Sequence, residues 1–110
     1  MKTSDLARIL DLEIVQGTYN DKEITTAYTS DLLSDVMGNA EDNAVLITIQ
    51  AHKNTMAVAT LKDSPAIIIC NNRPIPEDLL EAAKEEEIAI FVTSQNQFEV
   101  SGKPYALLHQ

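Results

Sequence analysis

Four short polar segments in this 110-residue sequence bring together side chains that can bind or transform a ligand: Ser30-Asp31, Gln50-Ala51-His52-Lys53-Asn54, Asn71-Asn72-Arg73 and Thr93-Ser94-Gln95-Asn96. Lys53 and Arg73 stand out because the chain has only eight Lys and Arg residues. Amides, hydroxyls and these two cations make Ser30, Asp31, Gln50, His52, Lys53, Asn54, Asn71, Asn72, Arg73, Thr93 and Ser94 a candidate surface for a small anionic or nucleotide-like ligand. His52 is of the residue type most often used as a general base. Paired with Asp31 or Arg73 it would make a small enzyme, an alternative weakened by the lack of an identifiable nucleophile. Against both readings, polar loops are how buried strands meet water, and Asn54 and Ser94 are natural helix caps. A purely structural dimerisation domain is therefore the competing expectation.

Other chemistries are absent from the sequence. A phosphate-binding loop needs clustered glycines followed by Lys and Ser or Thr, so that backbone amides converge on phosphate. Here Gly17, Gly38 and Gly102 are far apart and no Gly-Lys-Ser/Thr occurs. There is no Gly-x-Ser-x-Gly elbow and no HExxH helix. We therefore assign no catalytic residue and expect a non-enzyme without a cofactor. Cys70 is the single cysteine, which excludes an internal disulfide and a thiolate-rich metal site. His52 and Cys70 lack a third ligand at convincing spacing, and no metal is expected. With 17 acidic and 8 basic residues the formal charge is −9, which repels nucleic acid and anionic membrane. The longest apolar run, residues 65–70, is far short of the roughly 20 residues a membrane span needs. Met1-Lys2-Thr3-Ser4-Asp5 opens no secretory hydrophobic region, so the expectation is one acidic cytoplasmic domain over residues 1–110.

The elements that position these loops follow from apolar pattern. Residues 45–49, 66–70 and 88–92 are nearly continuous in β-branched and apolar side chains, as strands buried on both faces are. Helical spacing fills the gaps. Asn54 is expected to cap a helix carrying Met56, Val58, Ala59 and Leu61, and Pro76 to open another with Leu79, Leu80 and Ala83 inward. Ser30 is expected to cap a helix over residues 31–37, with an apolar stripe of Leu32, Leu33, Val36 and Met37 and a left-handed stop at Gly38. A helix at residues 4–10 and weaker strands near residues 12–15 and 24–28 complete the set, and residues 93–100 begin a further helix that Gly102 and Pro104 should break or kink. Alternating strands and helices predict an α/β fold, a three-layer α/β/α sandwich with a small, mostly parallel sheet of four or five strands. Parallel strands would deliver all the polar segments to one edge. The helix around residues 54–61 is apolar almost all round, which predicts a homodimer formed partly through it.

Asp21-Lys22-Glu23-Ile24-Thr25-Thr26-Ala27-Tyr28-Thr29-Ser30-Asp31-Leu32-Leu33-Ser34 resembles the signature region of the DRTGG domain family. Ile47-Thr48-Ile49-Gln50-Ala51-His52-Lys53-Asn54, Lys84-Glu85-Glu86-Glu87-Ile88-Ala89-Ile90 and residues 94–100 are similar to later segments of that family. Asp21 and Thr25 match, whereas Lys22 replaces the arginine and Thr26-Ala27 replace the glycine pair, which removes backbone freedom there. The resemblance implies a fold similar to the N-terminal domains of HPr kinase/phosphorylase and of a Mur ligase. It also implies a non-catalytic regulatory or sensor role, since the kinase chemistry belongs to a separate domain. A protein partner, such as a metabolic or redox enzyme, is implied in the same way.

Overall fold

The computed structural model describes residues 1–109. A single 3-10 turn, Thr3–Asp5, leads into α1 (Leu6–Leu10) and β1 (Glu13–Gln16). There follow β2 (Ala27–Thr29), α2 (Leu33–Asn39), β3 (Val45–Thr48), α3 (Lys53–Leu61) and β4 (Ala66–Ile69). The chain ends with α4 (Glu77–Glu86), β5 (Ala89–Val92) and α5 (Gln97–Leu108). The strands form one sheet in the order β1-β5-β4-β3-β2. β2, β3, β4 and β5 are mutually parallel, and β1 runs antiparallel on the far side of β5.

The continuous apolarity of the central strands has a direct cause, because both faces of the sheet are covered. Alternate residues Leu46, Ile67, Ile69 and Ile90 pack with Val36, Met56, Ala59, Leu79 and Ala83 from α2, α3 and α4. Val45, Ile47, Ile68 and Phe91 pack on the other face with Leu6, Leu10 and Val100 from α1 and α5. The result is the expected three-layer α/β/α sandwich with a mostly parallel five-stranded sheet.

Several local expectations are corrected. α2 starts at Leu33 rather than Asp31, and the Ser30 hydroxyl accepts the Leu32 N–H at 3.2 Å instead of capping a longer helix. Leu32 and Met37 are exposed, so the buried stripe narrows to Val36 and the half-buried Leu33. Gly38 lies within α2 with no left-handed geometry; the helix ends at Ala40, which is extended and buried. α3 starts at Lys53, after His52 in an extended conformation, and Asn54 is inside the helix rather than at its cap. The cap of α5 is Asn96, not Ser94. Its Oδ1 accepts the Glu99 N–H at 2.9 Å while Glu99 Oε1 accepts the Asn96 N–H at 3.0 Å.

α5 runs unbroken through Gly102 and Pro104. An interior proline forfeits one helical hydrogen bond at a cost of about 3 kcal/mol. Here Val100 and Pro104 are the buried residues of the helix, so packing against the sheet holds it together. α2 and α4 flank α3 above the sheet and Met56, Val58 and Ala59 are buried, whereas Ala57 and Leu61 stay exposed.

Candidate functional site

Because β2 to β5 are parallel, their C-terminal ends leave the sheet on one edge, and all four polar segments emerge there. β1 begins at the same edge because it is antiparallel. Backbone bonds knit neighbouring exits together. Ser30 N–H donates to Ile47 O at 3.2 Å and Cys70 N–H to Thr48 O at 2.9 Å. Asn71 N–H donates to Gln95 O at 3.0 Å and Asn72 N–H to Thr93 O at 3.0 Å, with Asn71 and Asn72 both left-handed (φ 61° and 53°). Asparagine tolerates that region better than most residues, which suits it to this tight exit from β4.

The rim divides into two parts. At the β2–β3 exits, Asp31 is the hub. Its Oδ1 accepts the Thr48 hydroxyl at 3.2 Å, the Ile49 N–H at 3.0 Å and the Gln97 side-chain amide at 2.8 Å. Gln50 Nε2 donates to the Asp31 carbonyl at 2.8 Å, and the Thr55 hydroxyl donates to Gln50 O at 2.7 Å. Asp31 therefore acts first as a brace tying β2, β3 and the start of α5 together.

At the β5 exit, a polar cleft of about 340 Å³ is lined by Asp11, Leu12 and Glu13 on one side and Asn72, Thr93, Ser94 and Gln95 on the other. Thr93 Oγ1 accepts both the backbone and the side-chain N–H of Gln95, each at 3.1 Å. Gln95 Nε2 also donates to Leu10 O at 3.0 Å, fastening the turn between α1 and β1 to this part of the rim.

Of the candidate residues, Ser30, Asp31 and Gln50 are joined in the first part, and Asn71, Asn72, Thr93 and Ser94 gather in the second. His52, Asn54 and Arg73 are exposed, and among the described residues their side chains make no hydrogen bond. Lys53 is not gathered into the cleft; it borders a separate hollow between α3 and α4 with Leu61, Glu85 and Glu86. Cys70 is fully buried at the end of β4, and burial together with the neighbouring Asp31 carboxylate pushes its thiol up to about 11. At neutral pH it is a protonated core side chain rather than a nucleophile. Among the described residues no three His, Cys, Asp or Glu side chains converge as a metal site, and no helix is long and apolar enough to cross a membrane.

Thr48 and Gln97 escape the sequence reading, and Gln95 lies in a named polar segment without being singled out. A hydroxyl inside the otherwise apolar Val45-Leu46-Ile47-Thr48-Ile49 run is the available signal for Thr48. The specific roles of the two glutamines carry none, because they depend on long-range partners, Leu10 for Gln95 and Asp31 for Gln97.

A family model described as "HPr Serine kinase N terminus" matches residues 35–107. No curated protein matches the chain in sequence. Among solved structures, the CBS and DRTGG domains of the regulatory region of Clostridium perfringens pyrophosphatase, complexed with the activator diadenosine tetraphosphate, superpose with a TM-score of 0.72 at 12% identity. The match covers 92% of this chain and 44% of that one, so this chain spans less than half of that regulatory region. At this identity the likeness is one of fold.

Proposed function

This chain belongs to the HPr serine kinase N-terminus family, and from that premise we propose that it is a non-catalytic, cytoplasmic, dimeric regulatory module. In this reading it acts on an enzyme partner and senses a small nucleotide-like ligand at the C-terminal edge of its sheet. The observation that carries the reading is the convergence of four strand exits on one edge, with a polar cleft between the β4–β5 exits and the start of β1. Open parallel sheets bind ligands at that edge. Asn72, Thr93 and Ser94 offer amide and hydroxyl groups suited to the neutral polar edge of a nucleotide. Asp11 and Glu13 on the facing wall repel a bare phosphate, so an anionic tail is better placed toward the exposed Arg73. His52 lacks the orienting hydrogen bond that a general base needs, which favours sensing over catalysis.

A purely structural dimerisation domain is the second reading, favoured by the internal engagement of Asp31, Gln50 and Thr93. Thermal denaturation with ATP, AMP and inorganic phosphate, each with amide chemical-shift mapping, separates the two. Selective ligand binding to the native state raises the midpoint, by the equivalent of about 2.7 kcal/mol at a hundredfold excess over Kd. The sensor reading expects that rise for a nucleotide, with shifts at residues 71–73 and 93–95, and their loss in Arg73→Ala. Unchanged midpoints and unmoved amides with all three probes would leave only the structural reading.

A further inference from the structure

β2 lies at the edge of the sheet, and among the described residues no strand pairs with its outer side. Thr26 O accepts the Val45 N–H at 3.1 Å and Ser30 N–H donates to Ile47 O at 3.2 Å. The alternation of a parallel ladder then turns the peptide groups of Tyr28 toward β3 and those of Ala27 and Thr29 outward. Beside this edge is an apolar groove of about 280 Å³ between β2 and α5. Ala27, Thr29 and Gly102 are among its lining residues, and Phe98, Tyr105 and Leu108 supply its large apolar side chains. Phe98 and Tyr105 are seven residues apart, hence on one face of α5, and they are 89% and 68% exposed. Nothing lies within 4 Å of where a Gly102 side chain would begin. The groove is at the lower limit of small-molecule sites, which run from about 300 to 1,000 Å³, and suits one or two apolar side chains better.

Charge selects the occupant. Residues 77–87, α4 and its end, hold six acidic residues and one basic, more than half of the net −9. Residues 24–30 hold no charge, and residues 97–109 hold one acidic and one basic residue. The strip made by β2 and α5 is thus a neutral surface where two copies of this chain can approach without mutual repulsion. A strand edge is also self-complementary in the antiparallel sense, as a two-fold interface requires.

We propose that the β2 edge and the α5 groove form the homodimer interface, joining two sheets through antiparallel β2–β2 pairing. This rests on the dimeric reading above and says where the dimer forms. Tyr28 lies on the two-fold axis, Ala27 pairs with Thr29 of the partner subunit and the reverse, and Phe98 of each copy seats against the other's α5. The exposed surface of α3, with Leu61 beside the acidic Glu85 and Glu86, is not required.

The test is light scattering and sedimentation of the full chain over a concentration series, for wild type, Gly102→Glu, Phe98→Ser and Leu61→Glu. Gly102 is helical with open space above it, and replacing glycine favours the helix, so the Gly102→Glu monomer should remain folded. Expected are a wild-type dimer, association weakened about a hundredfold in Kd or more by Gly102→Glu and Phe98→Ser, and an unaffected dimer in Leu61→Glu. Circular dichroism of the Gly102→Glu monomer confirms that folding is retained. A dimer that survives Gly102→Glu and Phe98→Ser, or that Leu61→Glu alone dissolves, overturns the placement while leaving the dimeric reading intact. A wild-type monomer throughout the series overturns both, whether or not a peptide or another protein occupies the groove.

Discussion

Replacing Asp31 should loosen the rim more than its half-exposed position suggests. Its Oδ1 takes three hydrogen bonds, from the Thr48 hydroxyl, the Ile49 N–H and the Gln97 amide. Bonds to a charged acceptor contribute roughly 1.5–3 kcal/mol each when isolated, and bonds sharing one oxygen are not additive. Water can replace part of the lost pairing at this half-buried site, but the Ile49 N–H at the end of a buried strand is harder to re-solvate. The expected loss for Asp31→Ala is therefore about 3 kcal/mol, near the value of a single strong charged bond. For a domain of this size that corresponds to a fall of about 12 °C in Tm, at about 4 °C per kcal/mol. Asp31→Asn keeps an acceptor oxygen and should cost about half as much. Urea unfolding is the assay, with midpoint shifts at constant slope, in a double-mutant cycle with Gln97→Ala. A coupling of about 1 kcal/mol between Asp31 and Gln97 is expected. If Asp31→Ala stays within about 0.5 kcal/mol of wild type, as an ordinary surface substitution would, or if the coupling is nil, the brace is not what the geometry implies.

Gln16 is buried on β1 and donates its amide to Thr18 O at 2.9 Å and Ile88 O at 2.9 Å while accepting the Thr18 N–H at 2.8 Å. Gln16→Leu should cost about 1–3 kcal/mol by stranding those partners, read from the same unfolding midpoint. The Tyr28 hydroxyl, donating to Asp35 at 2.8 Å, holds the Asp35 carboxyl below its ordinary value, with Asn39 and Ser30 assisting. A depressed carboxyl stabilises the fold fully above the unfolded carboxyl value and loses that contribution as pH falls through the lower folded value. Tyr28→Phe should accordingly raise the Asp35 pKa in an NMR titration and reduce the acid-side slope of stability. An unmoved Asp35 titration would show that the hydroxyl is not the controlling partner.

The central sheet was legible because burial on both faces leaves a composition that little else produces. Residues 45–48, 66–69 and 89–92 are continuous apolar runs, and their parallel order follows from the helices between them. The edges were less legible because their pattern is weaker. β2 has only three residues, and none of β1's residues except Gln16 is buried. Gly38 and Pro104 misled in the same direction for the same reason. Local preference at Gly38 favours a stop and at Pro104 a break, yet buried Val36 and Ala40 carry α2 past the glycine, and buried Val100 and Pro104 hold α5 through the proline. The location of the rim was readable from topology. The division of labour within it was not, because Asp31 is claimed by Gln97, 66 residues away, and Lys53 borders a separate hollow between α3 and α4.

The rim and the β2–α5 strip are physically continuous, and on the sensor and dimer proposals above that continuity would couple the two. Thr29 at the end of β2 meets Ser101 of α5 at 2.7 Å, and two residues further Asp31 meets Gln97 in the first turn of the same helix at 2.8 Å. Gln97 is followed directly by Phe98, which walls the groove. A ligand that draws on the Asp31 network must disturb the first turn of α5, and displacing that turn carries Phe98 with it. Where two binding events share such an element their coupling is reciprocal: a ligand that favours one arrangement of α5 changes the affinity between copies by the factor by which dimerisation changes the affinity for ligand. No nucleophile or metal is needed for such a device. It requires an edge that binds, an edge that pairs and one helix common to both; Thr29 and Asp31 both meet α5, so on the two proposals above α5 would be that common helix.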